Sequence, residues 1–394
     1  MLTLCGVCCY VVGYPISVSS RVRRKNCVKK GAELMVLKRA LALCLLLMVA
    51  ACSTVMPPAP KPPAQWREAA RLVPAQLHFT LSDGAVLPAR LWPAQGKERA
   101  LMLALHGFND SRDAWEVPAA QFAQRGITVI APDQRGFGQA PGRSFWAGTP
   151  RMVADIRNIV AHLQHEHPTT PLYLAGESMG GAVLMVLMAQ PDAPNVAGTV
   201  LLAPAVWNLG AVARAPLGVF STLAPHALVP EHSVPVHVVA SDNMAALIRL
   251  YYNPLTLHAT RWEALQGLVT LMRQAAHAAK NLHGPVFCAY GDKDQLVPPA
   301  AMAQAWQAMA QTQALTKARL DVIPGGHHLL LRDRNGALLM QDIVSWMFNP
   351  SHWLPSGGDS AAALWFASQQ GQLGYGKQEL PILLPARLES LVGP

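Results

Sequence analysis

The sequence predicts an α/β fold: a mostly parallel central sheet flanked by helices, with an inserted helical cap. Three observations carry this expectation. Short unbroken apolar runs, such as Leu101–Leu105 and Leu172–Ala175, read as strands buried on both faces. They alternate with segments of helical period, as where Val153, Ile156, Ile159, Val160 and Leu163 form one stripe within Met152–Glu166. The alternation lapses once, between Pro204 and Gly284, and then resumes, as an insertion would make it do.

The length, 394 residues, suffices for one large α/β domain. The net charge of +9 is concentrated at one end. Residues 1–51 carry eight basic residues against Glu33 alone, while the remainder holds 24 basic against 22 acidic. A near-neutral body has no footprint for a phosphate backbone, which excludes nucleic acid as a partner. Six of the seven cysteines also lie within the first 52 residues, leaving Cys288 as a buried small hydrophobe in the apolar run Val286–Tyr290. Cys5-x-x-Cys8 is followed by no second ligand pair, so no metal is expected there.

Lys38-Arg39 and the apolar run Ala40–Ala51 form a basic n-region and a short h-region. About a dozen apolar residues fall short of the roughly 20 a membrane span needs. The run closes on Val49-Ala50-Ala51-Cys52, which resembles the lipobox of bacterial lipoproteins. That resemblance implies lipidation of Cys52, and Ser53 in place of Asp implies the outer membrane, with the body facing the periplasm. Met35 opens a more ordinary signal peptide than Met1 does. Residues 52–74 are Pro-rich and are expected to be an extended, semi-rigid spacer between lipid and domain.

The body then proceeds in order. Leu77–Leu81, a turn at Asp83-Gly84, and Val86–Trp92 make a hairpin. Leu101–Leu105 is a central strand ending at His106-Gly107-Phe108-Asn109. A helix is expected over Ser111–Arg125, with Ser111 as N-cap and Gly126 as stop, followed by a strand over Ile127–Ala131. Asp133-Gln-Arg-Gly-Phe-Gly138 looks like a phosphate loop but has the spacing of neither nucleotide motif. The helix Met152–Glu166, a strand at Leu172–Ala175, a helix at Ala182–Gln190 and a strand at Thr199–Ala203 complete the first half of the core, residues 75–204. Residues 205–284 form the cap, rich in Ala, Leu, Pro and aromatics and holding only Glu231, Asp242 and Glu263 as acids. The core returns over 285–348, with strands at Pro285–Tyr290 and Ala318–Ile323 and helices at Pro299–Ala314 and Leu338–Phe348. The tail, 349–394, shows no clear period and is left unassigned.

Chemistry concentrates at Gly176-Glu177-Ser178-Met179-Gly180-Gly181, between a strand and a helix. About 0.1 G-x-S-x-G patterns are expected by chance in a chain this long, so its strand–turn–helix setting is what identifies it as a nucleophile elbow. A sharp turn there lifts the Ser178 hydroxyl into a cleft and leaves the Met179 N–H at a helix N-terminus, free to bind an oxyanion. The second donor in such a fold comes from the loop after the early central strand, which points to the Phe108 N–H beside Gly107. An acid and then a histidine must follow on loops at the carboxyl ends of later strands. Gly291-Asp292-Lys293-Asp294 offers two acids, and Gly325-Gly326-His327-His328 two bases.

Residues 75–348 resemble the α/β-hydrolase superfamily, nearest to the monoglyceride lipase and lysophospholipase-like branch. The likeness is carried by His106-Gly107, Asp133–Gly138, the elbow and the two late loops. It implies Asp294 as the acid and His328 as the base, with Asp292 a weaker acid and Asp242 a distant third. It further implies a serine hydrolase of lipid-like acyl esters, membrane-bound through its N-terminal lipid, with no cofactor and no metal. A prolyl-type aminopeptidase shares these loops but needs acidic cap groups for a substrate ammonium, and a non-catalytic envelope lipoprotein would not need Ser, Asp and His all present.

Overall fold

The computed structural model describes residues 54–230, 238–310 and 318–372. The signal-like segment, Cys52 and the alternative start at Met35 lie outside the described residues, as do Glu231 and residues 373–394. Among the described residues no helix is long and apolar enough to cross a membrane.

Eight strands form one sheet: β1 (Leu77–Thr80), β2 (Val86–Trp92), β3 (Ala100–Leu105), β4 (Ile127–Pro132), β5 (Leu172–Glu177), β6 (Gly198–Leu202), β7 (Val286–Gly291) and β8 (Ala318–Ile323). Their order is β1-β2-β4-β3-β5-β6-β7-β8. The hairpin strands β1 and β2 pair antiparallel, as do β2 and β4, and every pairing from β4 onward is parallel. The unbroken apolar runs follow from this. In β3, Leu101, Leu103 and Leu105 face one buried cluster, and Ala100, Met102 and Ala104 face the other. Period-2 alternation therefore puts apolar side chains on both faces.

Helices cover both faces: α1 (Glu116–Ala123) and, later, α8 (Gly336–Phe348) on one; α2 (Thr149–Glu166), α3 (Met179–Met188) and α7 (Pro299–Ala310) on the other. The helix expected from Ser111 begins instead as a 3-10 turn, Arg112–Trp115. Buried ion pairs of Arg112 with Asp133, and of Asp113 with Arg90 and Arg249, hold that turn in place. Ser111 does cap it, accepting the Asp113 N–H at 3.3 Å, and Gly126 stops the segment with φ +81°. The Gly-rich turn after β4 is thus built around an internal salt bridge, with the Gln139 N–H also donating to Asp133 at 2.7 Å.

The cap segment holds α4 (Ala211–Leu223), α5 (Met244–Tyr252) and α6 (Trp262–Ala278). Phe220 of α4 stacks on Trp262 of α6 with ring centroids 4.7 Å apart. Asn243 caps α5, accepting the Ala245 and Ala246 N–H groups. α6 also buries Leu271 and Ala275 in the same cluster as α3, so it serves as a flanking helix of the core.

Two stretches depart from the sequence expectation. The Pro-rich segment lies against the protein instead of standing free. Arg261 donates to the Thr54 carbonyl at 3.0 Å, Arg249 to the Ala69 carbonyl at 2.8 Å, and Trp66 sits 6.0 Å from Tyr252. The unassigned tail contains α9 (Gly358–Gln372), which packs on β8. Its Trp365 lies 5.1 Å from both Tyr290 and Trp306, and Phe366 is 2% exposed. The helix escaped the periodicity reading because Ala361 to Phe366 is apolar all round, although Leu364 faces solvent.

Candidate active site

The elbow follows from strict local packing. Ser178 has φ +51° and ψ −112°, a region a non-glycine residue occupies only at a cost of about 1–3 kcal/mol. Three backbone hydrogen bonds hold it there: its N–H donates to the Leu202 carbonyl at 2.9 Å, and its carbonyl accepts from Ala182 at 3.0 Å and Ala205 at 2.9 Å. Both flanking glycines are required by space. A Cβ on Gly176 would stand 2.6 Å from the Gly180 carbonyl carbon, and one on Gly180 would stand 2.6 Å from the Leu105 oxygen. Met179 heads α3 and is fully buried, so its N–H is among the helix's four donors without an intrahelical partner.

The loop after β3 is drawn against the elbow. A Cβ on Gly107 would lie 3.5 Å from the Ser178 Cβ. His106 is fully buried and fixes the loop: its Nε2 accepts the Gln134 N–H at 3.0 Å, so Nδ1 carries the proton and donates to the Gly107 carbonyl at 2.7 Å. Phe108 anchors its ring on Phe137 and Trp146 at centroid distances of 5.5 and 6.5 Å. Asn109, at φ +61°, ties the loop to the cap segment by donating to Thr260 Oγ1 at 2.8 Å and accepting the Leu257 N–H at 2.9 Å.

Asp294 and His328 meet. Nδ1 of His328 lies 2.8 Å from Asp294 Oδ2, and both residues are buried. The other carboxylate oxygen accepts the Leu296 and Val297 N–H groups at 2.7 and 3.0 Å. The carboxylate is therefore fixed, with one oxygen reserved for the imidazole. Asp292 is exposed and accepts the Gly325 N–H at 2.7 Å, while Asp242 is exposed and accepts the Arg334 N–H at 2.8 Å. Neither touches His328.

His327 points elsewhere. Its backbone N–H donates to Asp333 at 2.6 Å, and Asp242, His327 and Asp333 each place one ligand-type atom within 4.8 Å of the others. Asp333 also accepts the Asp242 N–H at 3.1 Å, so its carboxylate ties two loops together. Cys288 is fully buried, and burial pushes its thiol up to about 12 even with the Trp306 indole N–H 3.3 Å away, which makes it inert.

Sequence reasoning missed Arg332. Its guanidinium is buried between Glu177, at 2.6 Å, and Asp110, at 2.8 Å. Glu177 occupies a position the elbow motif leaves open, and Arg332 lies outside every motif, so spacing carried no signal for the pair.

The chain is 26% identical to the monoacylglycerol lipase of Mycolicibacterium smegmatis over 263 residues, covering 65% of this chain and 91% of that protein. It is 32% identical to human monoglyceride lipase over 130 residues, which is 33% of this chain and 43% of the human protein. A solved soluble variant of monoglyceride lipase from Saccharomyces cerevisiae shares the fold, with a TM-score of 0.60, 18% identity, and coverage of 73% of this chain and 98% of that one. Residues 96–335, more than half of the chain, match the serine aminopeptidase S33 family, and the chain belongs to that family of α/β-hydrolases.

Proposed function

We propose that the protein is a serine hydrolase of lipid-like carboxylic esters, of monoacylglycerol or lysophospholipid type, working through an acyl-enzyme on Ser178. The observation that carries this reading is the 2.8 Å bond between Asp294 and His328, on loops after β7 and β8 at the carboxyl edge where the elbow follows β5. Asp294 holds the proton on Nδ1, which leaves the Nε2 lone pair to take the Ser178 proton as the hydroxyl oxygen attacks the ester carbonyl. The oxyanion is received by the N–H groups of Met179 and Phe108. Imidazolium then protonates the departing alcohol, and water attacks the acyl-enzyme by the reverse proton path.

The lipid-like substrate is supported by the apolar composition of the cap, since each buried methylene of an acyl chain contributes about 0.8 kcal/mol. It is also supported by the monoacylglycerol lipases among the relatives. Among the described cap residues, the aminopeptidase reading has only Asp242 and Glu263 to hold a substrate ammonium. Of the described cap acids, Asp242 is engaged by Arg334, and Glu263 lies 3.5 Å from His226. We further propose that Cys52 carries a lipid holding the enzyme at the outer membrane, facing the periplasm; labelling of the wild type but not Cys52→Ser with an alkynyl fatty acid tests this.

Hydrolysis of p-nitrophenyl esters from acetate to palmitate by the full chain tests the activity. Turnover that rises toward medium or long chains, disappears in Ser178→Ala, and is accompanied by fluorophosphonate labelling of Ser178 is the expected result. A folded wild type without turnover or labelling would overturn the reading, and labelling without ester turnover would favour the peptidase.

A further inference from the structure

Three of the four loops that carry the groups proposed above meet at one side chain, and each comes from a different part of the chain. The oxyanion loop follows β3, the elbow follows β5, and the base loop follows β8. Their separation in sequence means that no local turn rule sets their mutual distances. One side chain touches all three.

Arg332 ends the single 3-10 turn Leu330–Arg332, its N–H donating to the Leu329 carbonyl at 2.8 Å, four residues beyond His328. One guanidinium nitrogen reaches Asp110, which lies two residues after Phe108, and the other reaches Glu177, the residue before Ser178. Their side chains are 9%, 7% and 4% exposed, so this is a desolvated triad. Burial by itself would lower the Arg332 pKa; the Glu177 and Asp110 carboxylates more than reverse this and hold it above the usual guanidinium value. Asp110 is itself fixed, accepting the Ser111 N–H at 2.8 Å, and Glu177 Oε1 lies 3.7 Å from where a Gly107 Cβ would stand. The cap's stem joins as well, with the Leu329 N–H donating to the Ala240 carbonyl at 2.9 Å and Ser241 Oγ to the Arg332 carbonyl at 3.3 Å.

We propose that Arg332 is a positioning residue: its buried guanidinium, clamped between Asp110 and Glu177, sets the relative placement of the oxyanion loop, the nucleophile elbow and the base loop. Only a planar fork spans two carboxylates this way, since a lysine ammonium is a single point charge on a flexible stem. The inference rests on the proposed serine-hydrolase function. It extends that reading by adding a residue that touches none of the reacting atoms yet governs their geometry, where about 1 Å of displacement costs about 100-fold in rate.

A second feature makes the test specific. A cavity of about 300 Å³ between α1, α5 and the start of α8 is lined in part by Asp110, Leu331 and Arg332, but by neither Ser178 nor His328. A small cation can therefore reach the void left by truncating Arg332 without occupying the nucleophile's cleft.

The experiment measures kcat and KM on a p-nitrophenyl ester at 25 °C for the full chain and for Arg332→Ala, Arg332→Lys and Glu177→Gln, with thermal melts showing each to be folded at that temperature. Arg332→Ala is expected to lose about 100-fold in kcat with KM within about threefold, and to recover at least tenfold in guanidinium or methylguanidinium chloride at tens of millimolar, but not in sodium chloride. Arg332→Lys should recover only part of the loss. Glu177→Gln, which still accepts from Arg332 but removes one charge of the clamp, should lose less kcat than Arg332→Ala. Should Arg332→Ala prove unfolded, Arg332→Lys carries the test, and a kcat within twofold of wild type overturns the proposal. A folded Arg332→Ala with wild-type kcat, a loss confined to KM, or a loss that guanidinium does not repair also overturns it. A Glu177→Gln loss as deep as that of Arg332→Ala would make the field of the carboxylate, not placement, the cause. If wild type neither turns over esters nor labels at Ser178, it is the proposed function that fails.

Discussion

Asp294→Asn separates orientation from charge at the proposed acid. The carboxylate's two oxygens are not equivalent: Oδ1 accepts the Leu296 and Val297 N–H groups at 2.7 and 3.0 Å, and Oδ2 faces His328 Nδ1 at 2.8 Å. In the variant those two donors force the amide oxygen into the Oδ1 position, because an NH₂ group there would set donors against donors. The amide nitrogen then faces Nδ1 and donates to it. Nδ1 must give up its proton, the other tautomer forms, and Nε2 carries the hydrogen that it should be accepting from Ser178. Loss of kcat on the order of 10⁴ is expected, about 5 kcal/mol of barrier at 1.36 kcal/mol per decade, with KM little changed because no substrate contact is altered. Steady-state ester hydrolysis measures it. Asp292→Asn is the matched control: this residue is exposed and its contact is the Gly325 N–H, so kcat should stay within about a factor of two. Asp294→Asn keeping more than about a tenth of wild-type kcat, or falling less than Asp292→Asn, would refute the reasoning.

Two further outcomes concern stability. Asp321, fully buried with neither oxygen hydrogen-bonded, has its pKa raised by burial first and then by Asp342 and Asp359, with Arg319 opposing. In the unfolded chain it ionises near pH 3.9. Above that pH the unfolded state gives up a proton that the folded state keeps, so wild-type stability falls as pH rises toward the folded pKa. Asp321→Asn removes this loss, and melts should show the variant more stable than wild type at pH 7.5, with the gain shrinking toward pH 4; a gain that grows on acidification would contradict the sign. Phe366→Ala empties a site that is 2% exposed beside Trp306 and should cost about 3 kcal/mol in urea unfolding, at the low end for Phe→Ala because a helix docked on an edge strand can undock locally. A cost below about 1 kcal/mol would mean that α9 contributes little to the fold.

The sequence by itself determined the architecture and most of the elements. Both faces of a parallel sheet are covered, so β3, β5 as far as Ala175 and β7 as far as Tyr290 are unbroken apolar runs. The elbow was legible because steric necessity writes it into the chain: a Cβ on Gly176 or Gly180 would stand 2.6 Å from backbone, and no other residue fits. Helix ends were less legible. α1 gives way to a 3-10 turn because Arg112 and Asp113 are drawn into ion pairs with residues far along the chain. α9 carries no helical stripe because its apolar run is continuous, and what makes it a helix is the docking site that β8, Tyr290 and Trp306 supply.

Choosing among Asp292, Asp294, His327 and His328 required more than residue type. The decision rests on which carboxylate is fixed by two N–H groups while facing an imidazole, a relation between loops that follow β7 and β8. Arg332 belongs wholly to the tertiary structure. Its partners lie 155 and 222 positions earlier in the chain, and only the folded sheet brings Glu177 and Asp110 onto one guanidinium. Backbone packing rules are local enough to be spelled in a few neighbouring residues, whereas a buried charge must find its counter-charge wherever the fold delivers one.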